Sequence, residues 1–90
     1  MTQPEFSDIL LRPIRSGNTF EETVARLLQL IRLGVYEPGE ALLPERELAR
    51  RLGVSRDTIR EAIGALVSVG YLESVRGRYG GTFLAAEHAE

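Results

Sequence analysis

The run Leu48-Ala49-Arg50-Arg51-Leu52-Gly53-Val54-Ser55-Arg56-Asp57-Thr58-Ile59-Arg60-Glu61-Ala62-Ile63 decides the fold. Leu48, Ala49 and Leu52 give a short helix a small apolar face, and Gly53 can end it in the left-handed conformation. Val54 is placed to fill the turn. Ser55 is a good N-cap for a second helix, and Asp57 puts a negative charge in its first turn, where the helix dipole favours one. Ile59, Ala62, Ile63 and Leu66 then recur at helical spacing and give this second helix one apolar stripe. Small Ala49 lets the two helices approach closely at a steep angle. The pattern is that of a helix-turn-helix.

Upstream, Asn18-Thr19 supplies a helix start, with Thr19 and Glu22 at capping-box spacing. Phe20, Val24, Leu27, Leu28 and Ile31 fall on one face of a helix running to about Leu33, with Gly34 at its end. Arg26 and Arg32 are read as exposed charges on this scaffold helix. Pro38-Gly39 is a turn, and Ala41-Leu42-Leu43 has the composition of a brief extra strand near 41–43. Pro44 opens the first motif helix, Glu45 and Glu47 favour its first turn, and Glu47 with Arg51 has the spacing of an i,i+4 ion pair. Downstream, Gly70 stops the second motif helix. Tyr71–Val75 and Thr82–Leu84 read as two strands around the turn Arg76-Gly77-Arg78-Tyr79-Gly80-Gly81. A hairpin with a basic, glycine-rich tip directly after a helix-turn-helix is a wing. The expected fold is mainly α with a small β-hairpin, a winged helix-turn-helix of three helices plus wing. Residues 1–17 are expected as an N-terminal extension or partly docked arm, 18–84 as the domain, and 85–90 as the start of a linker.

Ninety residues make one small domain. No apolar run approaches the ~20 residues of a membrane span, and no signal peptide is visible at the amino terminus. The absence of cysteine excludes disulfides and thiolate metal sites and fits a cytoplasmic setting. The net charge of −2 argues against a nucleic-acid partner until it is divided along the chain. Residues 1–44 hold four Arg against six acids, whereas residues 45–81 hold seven Arg against five acids. The positive charge is concentrated in the motif and the hairpin. Every basic residue in the chain is Arg, the side chain suited to bidentate contact with phosphate or guanine.

The chain resembles the DNA-binding domain of the GntR family of bacterial transcription regulators. The resemblance is carried by Pro38-Gly39, Pro44-Glu45-Arg46-Glu47-Leu48-Ala49, Leu52-Gly53-Val54-Ser55-Arg56, Thr58-Ile59-Arg60-Glu61-Ala62 and Gly80-Gly81-Thr82-Phe83. It covers roughly residues 18–84, with the blocks in the family's order. The wing Arg76-Gly77-Arg78-Tyr79-Gly80-Gly81-Thr82-Phe83 is most similar to the FadR-type subfamily, whose members carry a helical ligand-sensing FCD domain after the DNA-binding domain. One departure is that Leu42-Leu43-Pro44 stands where the family usually has Leu-Pro-Ser, so Pro replaces the hydroxyl that caps the first motif helix. The resemblance implies a homodimer on a palindromic DNA operator, weak for this stretch alone. It also implies a small-molecule effector bound only by a C-terminal domain beyond these residues, in a bacterial cytoplasm where DNA places the regulator at the nucleoid.

The candidate DNA contacts are Arg46, Ser55, Arg56, Asp57, Thr58, Arg60, Arg76, Gly77, Arg78 and Gly80. Arg56 and Arg60 lie one turn apart on the second motif helix, offset by roughly 60–100° from the Ile59/Ile63 stripe. They suit phosphates or base edges in a major groove, with the recognition helix spanning 55–69. The resemblance adds Arg46 as a base or phosphate contact. Ser55 is an N-cap that can also meet a phosphate, and Thr58 suits a local backbone bond or a phosphate. Asp57 can accept from a cytosine amine or serve only the helix dipole. Glu61 is expected to pair with a nearby Arg. Arg76, Arg78 and the glycines Gly77 and Gly80 in the wing, 76–81, suit a minor groove or phosphates, because glycine lets backbone N–H groups come close. Tyr79 can stack or pack.

Two other function classes compete. A winged helix used for protein contact needs an apolar or acidic recognition face, which Arg56, Arg60 and the basic wing tip oppose. An enzyme needs a reactive constellation. With no cysteine, a single histidine (His88) and carboxylates scattered among arginines, the sequence offers no catalytic residue, no metal-ligand spacing and no cofactor motif. A phosphate-binding P-loop needs a lysine, and the chain has none.

Overall fold

Burial of one stripe from each of three helices builds the core. The computed structural model describes residues 11–14 and 19–85, as helices α1 (Thr19–Arg32), α2 (Glu45–Leu52) and α3 (Arg56–Ser68), then strands β1 (Leu72–Val75) and β2 (Gly81–Leu84). The expected winged helix-turn-helix is what forms. α1 packs chiefly against α3, α2 also packs against α3, and the strands pair antiparallel with Leu72 opposite Leu84 and Val75 opposite Gly81. Leu27, Leu48, Leu52, Ile59 and Ala62 are completely buried at the centre. Shielding each leucine or isoleucine of this set from water stabilises the fold by about 1.5–3 kcal/mol.

The helix ends follow the glycines. Gly34, with φ of 74°, donates to the Ile31 carbonyl while Val35 donates to Leu30, a Schellman closure that turns the chain out of α1. Gly70 repeats this after α3, where Tyr71 donates to Leu66. Between the motif helices Gly53 sits at φ 70° and its N–H reaches Ala49, as its type predicted. Val54 is half-buried in the turn.

Several local expectations are corrected. The buried face of α1 is Thr23, Leu27, Leu30 and Ile31, rotated from the predicted stripe. Phe20 remains 40% exposed and Val24 and Leu28 are only half-buried. Thr23 can be buried because its hydroxyl donates to the Thr19 carbonyl at 2.6 Å, leaving no orphan donor. Glu22, expected in a capping box, instead pairs with Arg26 at 3.2 Å. Arg26 is not an idle surface charge: it is largely covered and donates to the Arg12 carbonyl at 2.8 Å. That bond helps to hold residues 11–14, in which Leu11 and Ile14 are buried and the Ile14 N–H reaches the Leu52 carbonyl. The described part of the N-terminal stretch is thus docked on the domain. Ala85, read as the start of a linker, is buried and donates to Tyr71. The remaining linker residues, 86–90, lie outside the described residues, as do Asn18 and His88.

The brief extra strand exists in minimal form. Pro38-Gly39 makes the turn, with the Glu40 N–H closing on Glu37 and Gly39 at φ 78°. Ala41 then bridges Phe83, the Leu42 N–H donates to Thr82, and the Leu84 N–H donates to Glu40. β2 is therefore hydrogen-bonded on both edges, to β1 and to the segment that leads into α2.

Candidate nucleic-acid interface

The candidate recognition face is built at the front of α3. Ser55 is the N-cap: its Oγ accepts from the Thr58 N–H at 3.0 Å and shares a hydrogen bond with the Thr58 hydroxyl at 2.9 Å. Both hydroxyls are thus already engaged locally, which fixes the first turn of α3. With the apolar stripe held inward by Ile59, Ala62, Ile63 and Leu66, residues 56, 57 and 60 are left outside. The Arg56 and Arg60 side chains are 54% and 59% exposed, and that of Asp57 is 87% exposed.

These side chains do not stand alone. The Glu45 carboxylate, from the first turn of α2, lies with Oε1 at 3.3 Å from Arg60 Nη2 and 3.8 Å from Arg56 Nη2. Asp57 adds a longer contact, Oδ1 to Arg60 Nη1 at 3.5 Å. Two helices thus share one charge cluster. Glu45 was read from sequence only as a favourable first-turn charge. The contact that gives it a second role joins residues fifteen positions apart, which no local spacing reveals.

α2 begins without a side-chain cap. Pro44 occupies the N-cap position, one residue earlier than the predicted first helical position, and its carbonyl accepts from the Leu48 N–H. The missing hydroxyl leaves the start of α2 to the charges of Glu45 and Glu47. Glu47 pairs with Arg50 rather than with Arg51, and this hydrogen bond holds its carboxyl below the usual glutamate range. Glu61, expected beside an Arg, has no ion pair among the described residues.

A groove of about 850 Å³ runs between the front of α2, the first residue of α3 and the turn end of the hairpin. Arg46 and Arg56 line it from the helices, and Gly80 and Thr82 from the hairpin. The fold thus brings Arg46, Arg56 and Gly80 to one concavity and joins Arg60 to them through Glu45. Arg76, Gly77 and Arg78 sit exposed in the turn beyond and do not line the groove. Tyr79 is 86% exposed and does not pack into the core of the described residues. Gly80 has a reason of its own. A Cβ there would stand 2.0 Å from the Val75 carbonyl oxygen, so the two arms of the hairpin cross too closely for any side chain. That requirement holds whether or not the glycine also lets the backbone approach DNA. Among the described residues no cluster of His, Cys, Asp or Glu could hold a metal ion, and no helix is long and apolar enough to cross a membrane.

Three helices with a bonded wing, and arginines displayed on the third helix, define a winged-helix nucleic-acid-binding module. The model of the gntR family of bacterial regulatory proteins matches residues 19–84, and the chain belongs to that family. Among curated relatives, the HTH-type transcriptional regulator Mce2R of Mycobacterium tuberculosis is 39% identical over 67 residues, covering 74% of this chain and 28% of that protein. Among solved structures, the DNA-binding domain of AraR in complex with operator ORX1 superposes with a TM-score of 0.71 at 39% identity. That match covers 81% of this chain and 88% of the other. A GntR family transcriptional regulator from Listeria monocytogenes gives a TM-score of 0.73 at 33% identity over 81% of this chain and 62% of the other. The chain spans about a third or less of the length of the curated relatives it matches. The domain is accordingly the DNA-binding domain of a GntR-family transcriptional regulator, a regulatory rather than an enzymatic module.

Proposed function

We propose that this domain reads a specific operator, with α3 in the major groove and the wing at the adjacent minor groove or its flanking phosphates. The observation that carries the reading is the common face. Arg56 and Arg60 are exposed at the front of α3, and Arg46 lines a single groove with the turn end of the hairpin. Arginine at the leading end of a buried-backed helix is the arrangement that reaches guanine O6 and N7. Arg56 and Arg60 take that role here, with Arg46 on a base edge or phosphate. Ser55 and Thr58 lie where phosphates would pass, and Asp57 lies at the leading tip. Arg76, Arg78 and the wing backbone at Gly77 and Gly80 meet the minor groove or phosphates. The AraR complex, whose partner is an operator, supports an operator as the partner here as well.

A single recognition helix covers only a few base pairs, so the domain acts as a homodimer on a palindromic site, each copy taking one half-site. The relatives are three or more times longer than this match, which supports a separate ligand-binding part. A small-molecule effector bound there would set operator affinity, and contacts there would supply most of the dimer's strength. Selection of bound sites from random DNA at two salt concentrations tests the whole reading. The expected result is an inverted repeat, bound with an affinity that falls steeply as salt rises, because counterions are released on binding. Recovery of no preferred sequence, or binding indifferent to salt, would overturn it and point to a protein-contact surface.

A further inference from the structure

The acids of the α2 first turn are treated differently by the fold. Glu47 turns back onto Arg50 of its own helix, whereas Glu45 reaches across to α3 and touches both recognition arginines. The Glu45 side chain is 29% exposed against 54% and 59% for Arg56 and Arg60, so the carboxylate is recessed behind the guanidinium groups it contacts. A carboxylate so close to a DNA-binding face carries a penalty, since it repels every phosphate that approaches. A free arginine carries another: fixing its several rotatable bonds on a base edge costs up to about 2 kcal/mol of side-chain entropy. An acid behind the arginine raises the first cost and lowers the second.

We propose that Glu45 is a positioning residue for base reading. Its carboxylate anchors Arg60, and more loosely Arg56, in one geometry before DNA arrives, trading general affinity for sequence preference. A guanidinium has five N–H donors. Glu45 takes one from Nη2 and Asp57 takes one from Nη1, so three remain for a base edge. Asp57 is a poorer anchor because it is almost fully exposed and lies on the same helix as its partner. Glu45 comes from a second, separately packed helix and so fixes Arg60 relative to the domain rather than to its own backbone turn. This inference rests on the assignment of Arg60 to a base edge.

The test compares the wild-type chain with Glu45→Gln and Arg60→Ala. Dissociation constants are measured for the selected operator and for a scrambled duplex of equal length, and thermal unfolding checks the fold. Glu45→Gln is expected to bind the scrambled duplex about two- to fivefold more tightly, since one phosphate-repelling charge is gone. Its preference for operator over scrambled duplex should fall about three- to tenfold, part of what loss of a whole bidentate base contact does. In the free protein, NMR of the arginine side chains should show faster rotation of the Arg60 guanidinium in the variant. A residue that merely helped to start α2 would shift the melting temperature and leave preference and rotation unchanged, and that outcome overturns the proposal. If Arg60→Ala relaxes base preference while Glu45→Gln preserves it, the positioning role alone fails. If Arg60→Ala leaves base preference intact, the base-reading assignment itself fails.

Discussion

The two faces of α3 obey different rules although they share one backbone. On the inner face Ile59 and Ala62 are fully buried between α1 and α2, and Ile63 and Leu66 nearly so. On the outer face Arg56 and Arg60 both pair with Glu45, and Asp57 pairs with Arg60. The inner face contributes stability through apolar burial, which is large and does not depend on charge screening. The outer face contributes little to folding, because exposed ion pairs are worth at most about 1 kcal/mol. Its charges are free to be spent on a partner. Stability and recognition are therefore separable along a single helix, and substitutions should divide accordingly.

The largest effect belongs to the inner face. Ile59→Ala leaves a cavity at the junction of three helices and should cost about 2–5 kcal/mol of stability in denaturant unfolding. A loss under 1 kcal/mol would mean that the core collapses around the gap. In the hairpin turn, Gly80→Ala forces a methyl group against the Val75 carbonyl and should cost about 1–3 kcal/mol. DNA affinity should fall with it, because the arms of the wing must part. A variant that melts like the wild type would show that the crossing can open without penalty. On the outer face, Arg60→Ala should leave the melting temperature nearly unchanged and weaken operator binding by about 1–3 kcal/mol, with relaxed preference at one base pair. Equal weakening on all sequences would reassign Arg60 to a phosphate. The smallest effect lies where the two faces meet. Ser55→Ala removes the cap of α3 and should cost about 1 kcal/mol of stability, and some affinity as the first turn frays.

Much of this was legible because the motif's signals are local. Ser55 as N-cap, Gly53 and Gly34 as helix ends, and the Ile59/Ala62/Ile63/Leu66 stripe depend on neighbours within about one turn, and each is found where its chemistry put it. The misreadings share a different property. Counting apolar residues placed Phe20 in the core and left Thr23 out, because periodicity cannot register that a threonine satisfies its hydroxyl on its own helix. Arg26 was read as idle because its acceptor, the Arg12 carbonyl, comes from a segment with no period. Glu47 had two arginines within reach, at i+3 and i+4, and side-chain geometry chose Arg50. Glu45 and Gly80 gained their roles from contacts that only the assembled fold creates.

The double edge of β2 has a mechanical consequence. One side of the strand is tied to β1 and the other to residues 39–42, and only Leu43 and Pro44 separate that tie from the first turn of α2. The wing is thus coupled to the front of the motif almost without slack. A duplex whose minor groove is too wide or too narrow for the hairpin would push on a lever whose short arm ends at Glu45 and Arg46. With the wing at a minor groove as proposed, groove width at one site and base identity at its neighbour would be sensed together by this domain.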